Sequence, residues 1–280
     1  MNAYGSDGIY ITPRRVGEDG WELSIKALID NADCSHKARF TLIDADGNEK
    51  ASTIADLRPI ISAKLPVEDP VLWNGRKNPY LYTVRCEIFD STTQEVTDNI
   101  DIRTGLREYH IDSHKGFFLN GEHIKLHGVS RHQDRENMGN AITEKQHAED
   151  VKIILDVGAN SVRLAHYQQN SYFYDLCDES GLLVWAEVPV ISRFSPKRNE
   201  NAEQQLVELI KQNYNHPSIF CWGIENEITI AGSTSKKLIT FLKHMHKVAR
   251  HLDPTRYTTC AQLTMCPVNS PLNHITDIIV

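Results

Sequence analysis

No stretch of the sequence approaches the roughly 20 apolar residues that a membrane-crossing helix needs, and the first ten residues contain no apolar signal-peptide core. Read as a natural start, that opening places the chain in the cytoplasm; a parent exported to the periplasm or beyond would carry its signal further upstream. No excess of positive charge exists either. Thirty Lys and Arg stand against 37 Asp and Glu, for a net charge of −7, and the basic residues are scattered. Nucleic acid, membrane and acidic partners are therefore not expected. The six cysteines form no CxxC pair and no tight cluster, and Cys221 lies in the apolar run Phe220-Cys221-Trp222, so a disulfide framework is not expected.

The composition that remains is that of a globular protein, 40% hydrophobic and 24% charged. Residues 9 to about 105 hold short β-rich runs: Ile9-Tyr10-Ile11, Trp21 to Ile25, Phe40 to Ile43, and Tyr80 to Phe89. Turn signals at Glu18-Asp19-Gly20, Asp44-Ala45-Asp46-Gly47 and Asn74-Gly75 separate them. About seven strands at this spacing predict an immunoglobulin-like β-sandwich over 1–106.

The pattern changes over 107–280. Apolar runs predict strands at 124–129, 161–164, 182–188, 219–224, 257–262 and 275–280. Amphipathic segments between them predict helices at 144–157, capped by Thr143, and at 172–180, 202–214 and 236–252. Strict alternation of this kind builds a parallel sheet covered by helices. Five or six units exceed a dinucleotide-binding half, and the first strand–helix turn lacks a GxGxxG fingerprint. A (β/α)8 TIM barrel is the better match. Such a barrel takes about 250 residues, whereas about 160 follow Gly121, so the expectation is an incomplete barrel. Its unpaired strand edge would favour self-association.

Barrel enzymes carry their chemistry at the C-terminal ends of the strands. Here those ends read Ser130-Arg131-His132-Gln133-Asp134, then Arg163-Leu164-Ala165-His166-Tyr167, then Trp185 and Glu187, then Gly223-Ile224-Glu225-Asn226-Glu227. Each residue alone has an ordinary structural explanation: a capping charge, a buried ion pair, a hydrogen-bonded histidine. His123 and His127 share strand spacing but have no carboxylate or thiol cluster to complete a metal site. Polar groups at four successive strand ends together suit a sugar, whose hydroxyls need fixed donors and acceptors and whose leaving oxygen needs an acid.

The run Gly116-Phe117-Phe118-Leu119-Asn120-Gly121, followed by Leu126 to Asp134, resembles the barrel entry of glycoside hydrolase family 2. Asn160 to Tyr167 is similar to that family's first signature, and Asn215-His216-Pro217-Ser218-Ile219 through Trp222 to Asn226-Glu227 to its acid/base signature. Leu72-Trp73 and Asn78-Pro79-Tyr80-Leu81-Tyr82 resemble the last strands of its immunoglobulin-like domain.

The resemblance implies a retaining glycosidase of β-galactosidase type acting on a carbohydrate substrate. Glu227 would be the catalytic acid/base, Asn226 would bind the sugar 2-hydroxyl, and Arg163, His132 and His166 would line the pocket. A retaining enzyme pairs a proton-donating carboxyl with an attacking carboxylate about 5–5.5 Å away. No glutamate occurs after Glu227, so the family's nucleophile is not in this chain. The family's N-terminal jelly-roll domain is also missing. One galactosidase branch holds magnesium with a Glu and a His where this sequence has Ile191 and Arg193, so no metal and no other cofactor is expected. The β-galactosidase assignment leans on Arg131-His132-Gln133-Asp134. β-Glucuronidase and β-mannosidase of the same family, or a sugar-binding protein with a degenerate barrel, are the alternatives.

Overall fold

The computed structural model describes residues 5–17, 20–231 and 234–280. Glu18 and Asp19 of the first turn signal lie outside them. Two compact units are formed.

The first comprises the chain up to Lys125 together with Asp178–Gly181 and Tyr214–Pro217. Its strands are β1 (Ile9–Val16), β2 (Gly20–Leu28), β3 (His36–Ile43), β4 (Glu49–Asp56), β5 (Ile60–Val67), β6 (Trp73–Asn74), β7 (Asn78–Pro79), β8 (Tyr82–Asp90) and β9 (Val96–Thr104). They make two antiparallel sheets, ordered β1-β2-β5 and β4-β3-β8-β9, with β6 and β7 forming a small separate pair. Alternation decides the faces. Trp21, Leu23, Ile25 and Ala27 of β2 are buried while Glu22, Ser24 and Lys26 are not. Leu23, Ile25 and Leu65 from one sheet share a core with Phe40, Leu42 and Val84 from the other. This is the seven-stranded immunoglobulin-like sandwich expected. A three-stranded meander follows: β10 (Tyr109–Asp112), β11 (Gly116–Leu119) and β12 (Glu122–Ile124).

The two later segments complete this unit through side chains. Asn215 accepts from the Ile11 N–H at 2.9 Å and donates to the Ile9 carbonyl at 2.8 Å, so it satisfies the outer edge of β1 as a strand would. Trp73 Nε1 donates to the Asp178 carbonyl at 2.9 Å. A Cβ on Gly181, whose φ is +72°, would lie 2.2 Å from the Gly75 carbonyl oxygen, so only glycine fits there.

The second unit is one parallel sheet in sequential order: β13 (Gly128–Arg131), β14 (Ser161–Leu164), β15 (Leu183–Glu187), β16 (Ile219–Asn226), β17 (Tyr257–Ala261) and β18 (Ile278–Ile279). Helices α1 (Glu144–Asp156), α2 (Ser171–Ser180), α3 (Asn199–Gln212) and α4 (Lys236–Leu252) alternate with the strands. Six parallel strands connected through helices are the incomplete barrel expected. All eight residues of β16 are buried, which is why it reads as a continuous apolar run. Thr143 caps α1, and its N–H donates to Gln146 Oε1 at 2.9 Å. None of the helices among the described residues is long and apolar enough to cross a membrane.

Three boundaries differ from expectation. The strand expected at 124–129 divides into β12 and β13. The Asn160 side chain takes the His127 N–H at 2.8 Å and the Asn160 N–H reaches the His127 carbonyl at 2.9 Å, so His127 bonds to a loop rather than to a ladder. Helix α3 begins at Asn199 because a 3₁₀ turn, Pro196–Arg198, leads into it. The last strand shrinks to Ile278–Ile279 because Ile275, which closes the 3₁₀ turn Pro271–His274, keeps a helical backbone.

At the end of the sheet away from the strand C-termini lies a buried polar knot. Asp253 accepts from Trp222 Nε1 at 3.0 Å, Arg256 Nη1 at 2.8 Å and the Thr255 N–H at 3.0 Å. Arg256 Nε in turn donates to the Ile219 carbonyl at 2.8 Å. Burial alone would push the Asp253 carboxyl up. The Arg256 charge and the hydrogen bonds from Thr255, Arg256 and Trp222 outweigh burial and hold it at about 2.

Candidate active site

The C-terminal ends of β14, β15 and β16 converge on one carboxylate. Glu187, the last residue of β15, is completely buried. It accepts from Arg163 Nε at 2.9 Å on one oxygen and from Arg163 Nη2 at 3.0 Å on the other, a bidentate pairing. His166 Nδ1 lies 3.0 Å from the first oxygen. Both Glu187 oxygens already accept from Arg163, so this contact puts a proton on His166 Nδ1.

Arg163 also donates from Nη2 to Asn226 Oδ1 at 2.6 Å. That bond settles which way the Asn226 amide faces: the oxygen is taken, so the NH2 group is the one left to donate. The Arg163 guanidinium stacks over the Trp185 ring at 4.2 Å. Gly223 makes this packing possible, because a Cβ there would lie 2.5 Å from both Trp185 Nε1 and the Glu187 Cβ.

Arg163, His166 and Asn226 are therefore brought together by Glu187. His132 joins through its ring, 5.2 Å from that of His166 and nearly perpendicular to it. Glu227 follows Asn226 directly. It is half-buried and, among the described residues, its carboxyl has no ion-pair partner. Its neighbour Glu225 is wholly buried, so of the two only Glu227 can meet a ligand. Burial pushes the Glu225 carboxyl up to about 7, against the opposing pull of the Ile228 N–H.

Two residues of the Arg131 to Asp134 run serve the scaffold. Arg131 is buried, bonds Asp150 at 2.7 Å and 3.0 Å and Gln169, and stacks on Phe173 at 3.9 Å. Gln133 bonds the Asn170 N–H at 2.8 Å and the Asn140 carbonyl at 3.3 Å. The organising roles of Glu187 and Gly223 escaped sequence reasoning. The signal was a carboxylate ending an apolar run, and a glycine within another.

An immunoglobulin-like sandwich followed by a parallel barrel sheet, with Asn-Glu at the end of its fourth strand, defines a chain of the multidomain glycosyl-hydrolase class. The chain belongs to the glycosyl hydrolases family 2: the model of the family's TIM barrel domain matches residues 111–278, and a second model of the family matches residues 7–107. A β-glucuronidase of Bacteroides fragilis is 38% identical over 274 residues, which is 92% of this chain and 39% of that protein. A β-galactosidase of Thermoanaerobacter pseudethanolicus is 30% identical over 256 residues, 89% of this chain and 33% of the relative. Among solved structures, an FMN-binding β-glucuronidase from Facaelibacterium prausnitzii L2-6 has a TM-score of 0.94 at 41% identity, covering 99% of this chain and 42% of that one. The chain thus spans well under half the length of these relatives.

Proposed function

We propose that this chain supplies the acid/base and sugar-binding half of a retaining β-glycosidase that removes a terminal β-glucuronide. Glu227 protonates the glycosidic oxygen and then, as carboxylate, activates the water that releases the sugar. Asn226 donates its amide to the 2-hydroxyl, and Arg163, His166 and His132 form the polar wall around the sugar. The observation that carries this reading is the amide of Asn226, fixed by Arg163, which Glu187 holds in turn, in the residue that immediately precedes the half-buried Glu227. The nucleophile is a carboxylate outside these 280 residues. Glu187 is excluded from that part, since Arg163 and His166 occupy both its oxygens and it is wholly buried.

The glucuronide is preferred because two of the three relatives above are named for it. It is also preferred because Arg131 and Gln133, half of the run that suggested a galactoside, are spent on the scaffold. A β-galactoside is the second reading, favoured by the Thermoanaerobacter relative.

The test compares 4-nitrophenyl β-glucuronide, β-galactoside and β-mannoside as substrates for the gene product that carries these residues, as wild type and as Glu227→Gln. The glucuronide should be cleaved fastest and with retention, and the variant should be slower by roughly a hundredfold or more. A wild type no faster than the variant, yet still binding glucuronic acid, would make the protein a sugar-binding module instead.

A further inference from the structure

The chain leaves β16 through a strained turn. Glu227 has a φ of +47°, in the left-handed region that side chains other than glycine rarely adopt. The surrounding peptide groups are tied from both sides. The Asn226 N–H donates to the Val190 carbonyl at 2.9 Å, and the Asn226 carbonyl accepts from the Ser192 N–H at 3.0 Å. The Glu227 N–H donates to the Ala261 carbonyl at 2.8 Å, and the Glu227 carbonyl accepts from the Ile230 N–H at 2.9 Å.

The next donor is the Ile228 N–H, and Ile228 is 1% exposed. Water cannot serve it, and a buried N–H without a partner is costly. The Glu225 side chain turns back beneath Glu227 and accepts that N–H on Oε2 at 3.1 Å. The other oxygen of Glu225 accepts from Gln262 Nε2 at 3.2 Å, which braces it against the segment after β17. Packing alone gives no reason for a carboxyl here, where an apolar side chain would fill the space without desolvation cost. A wholly buried group cannot touch the sugar either. What Glu225 does is close the turn that presents Glu227.

We propose that Glu225 is a positioning residue: by holding the Ile228 amide it fixes the turn that aims the Glu227 carboxyl at the glycosidic oxygen. The inference rests on the acid/base reading of Glu227 given above.

The test uses two β-glucuronides in the gene product carrying these residues: one with a 2,4-dinitrophenolate leaving group that needs no protonation, and one with an alkyl alcohol that does. Glu227→Gln, measured first, should lose far more kcat/KM, which reports the step that expels the leaving group, on the alkyl glucuronide than on the activated one. Glu225→Ala should copy that pattern in milder form, losing roughly tenfold or more in kcat/KM on the alkyl substrate and little on the activated one. Glu225→Gln, whose amide oxygen still accepts the Ile228 N–H, should recover most of the loss.

Amide hydrogen exchange at Ile228 gives a readout independent of turnover: slow in the wild type and Glu225→Gln, faster in Glu225→Ala. Equal losses on both substrates in Glu225→Ala, or an unchanged Ile228 exchange rate, would overturn the positioning role while leaving Glu227 as acid/base. A Glu227→Gln enzyme that ignores the leaving group would overturn the acid/base reading itself.

Discussion

Replacing Asp253 by Asn tests how much the knot beneath the barrel sheet contributes to stability. The carboxylate accepts three kinds of donor at once, from Trp222, Arg256 and Thr255. An Asn of the same shape must present its NH2 group to one set of donors, leaving that set unpaired, and it removes the charge opposite the buried Arg256. Holding the carboxyl at about 2 rather than its ordinary 3.8 corresponds to about 2 kcal/mol at neutral pH. Orphaning a buried cation raises the cost, so a loss of about 3–5 kcal/mol is expected in urea unfolding followed by tryptophan fluorescence.

The sign of the pH dependence follows from the lowered pKa. The stabilisation is fully present above the unfolded-state value near 3.8 and disappears as pH falls through about 2. The gap between wild type and variant should therefore narrow on acidification, by about 1 kcal/mol at pH 3. A variant within about 1 kcal/mol of wild type at pH 7, or a gap that ignores pH, would refute the reasoning.

Glu225 titrates in the opposite sense. Its folded-state carboxyl sits at about 7 against an ordinary 4.5, so the folded state holds the proton more tightly and stability falls as pH rises from 4.5 to 7. Glu225→Gln should remove that fall, gaining on the wild type by about 3 kcal/mol across the window in paired urea titrations; parallel curves would contradict it. Gly223→Ala places a methyl 2.5 Å from both Trp185 Nε1 and the Glu187 Cβ. Overpacking of that kind should cost about 1–3 kcal/mol in stability, and it should reduce activity more than the Tm implies because Glu187 carries Arg163.

How much of this was legible in the sequence depended on how local the cause was. The β16 strand and its neighbours are visible because burial on both faces writes continuous apolar runs, and the sandwich strands because one-sided burial writes alternation. Asn226, Glu227 and Arg163 could be singled out because strand ends in a barrel face the chemistry. The hub was not legible. Glu187 is identified by partners 21 and 24 residues away, and Glu225 by Gln262, 37 residues on; nothing near either residue distinguishes a buried brace from a solvated charge. Arg131 misled in the other direction, since Asp150 and Gln169 absorb it from outside the motif. Asn215 and His216, read as part of an acid/base signature, lie in the sandwich unit, where Asn215 finishes the edge of β1.

That last arrangement constrains the order in which the chain can be completed. The polypeptide is made from its N-terminus, yet β1 waits for Asn215, 204 positions later, to cover its edge. Trp73 waits about half as long, for the carbonyl of Asp178, 105 positions on. A cut after Lys125 would release a sandwich with its edge strand uncapped, its buried indole unsatisfied and the cleft beside Gly75 unfilled. Such a piece could not be moved as an independent cassette. The sandwich is finished only when three of the six strands of the parallel sheet have been synthesised.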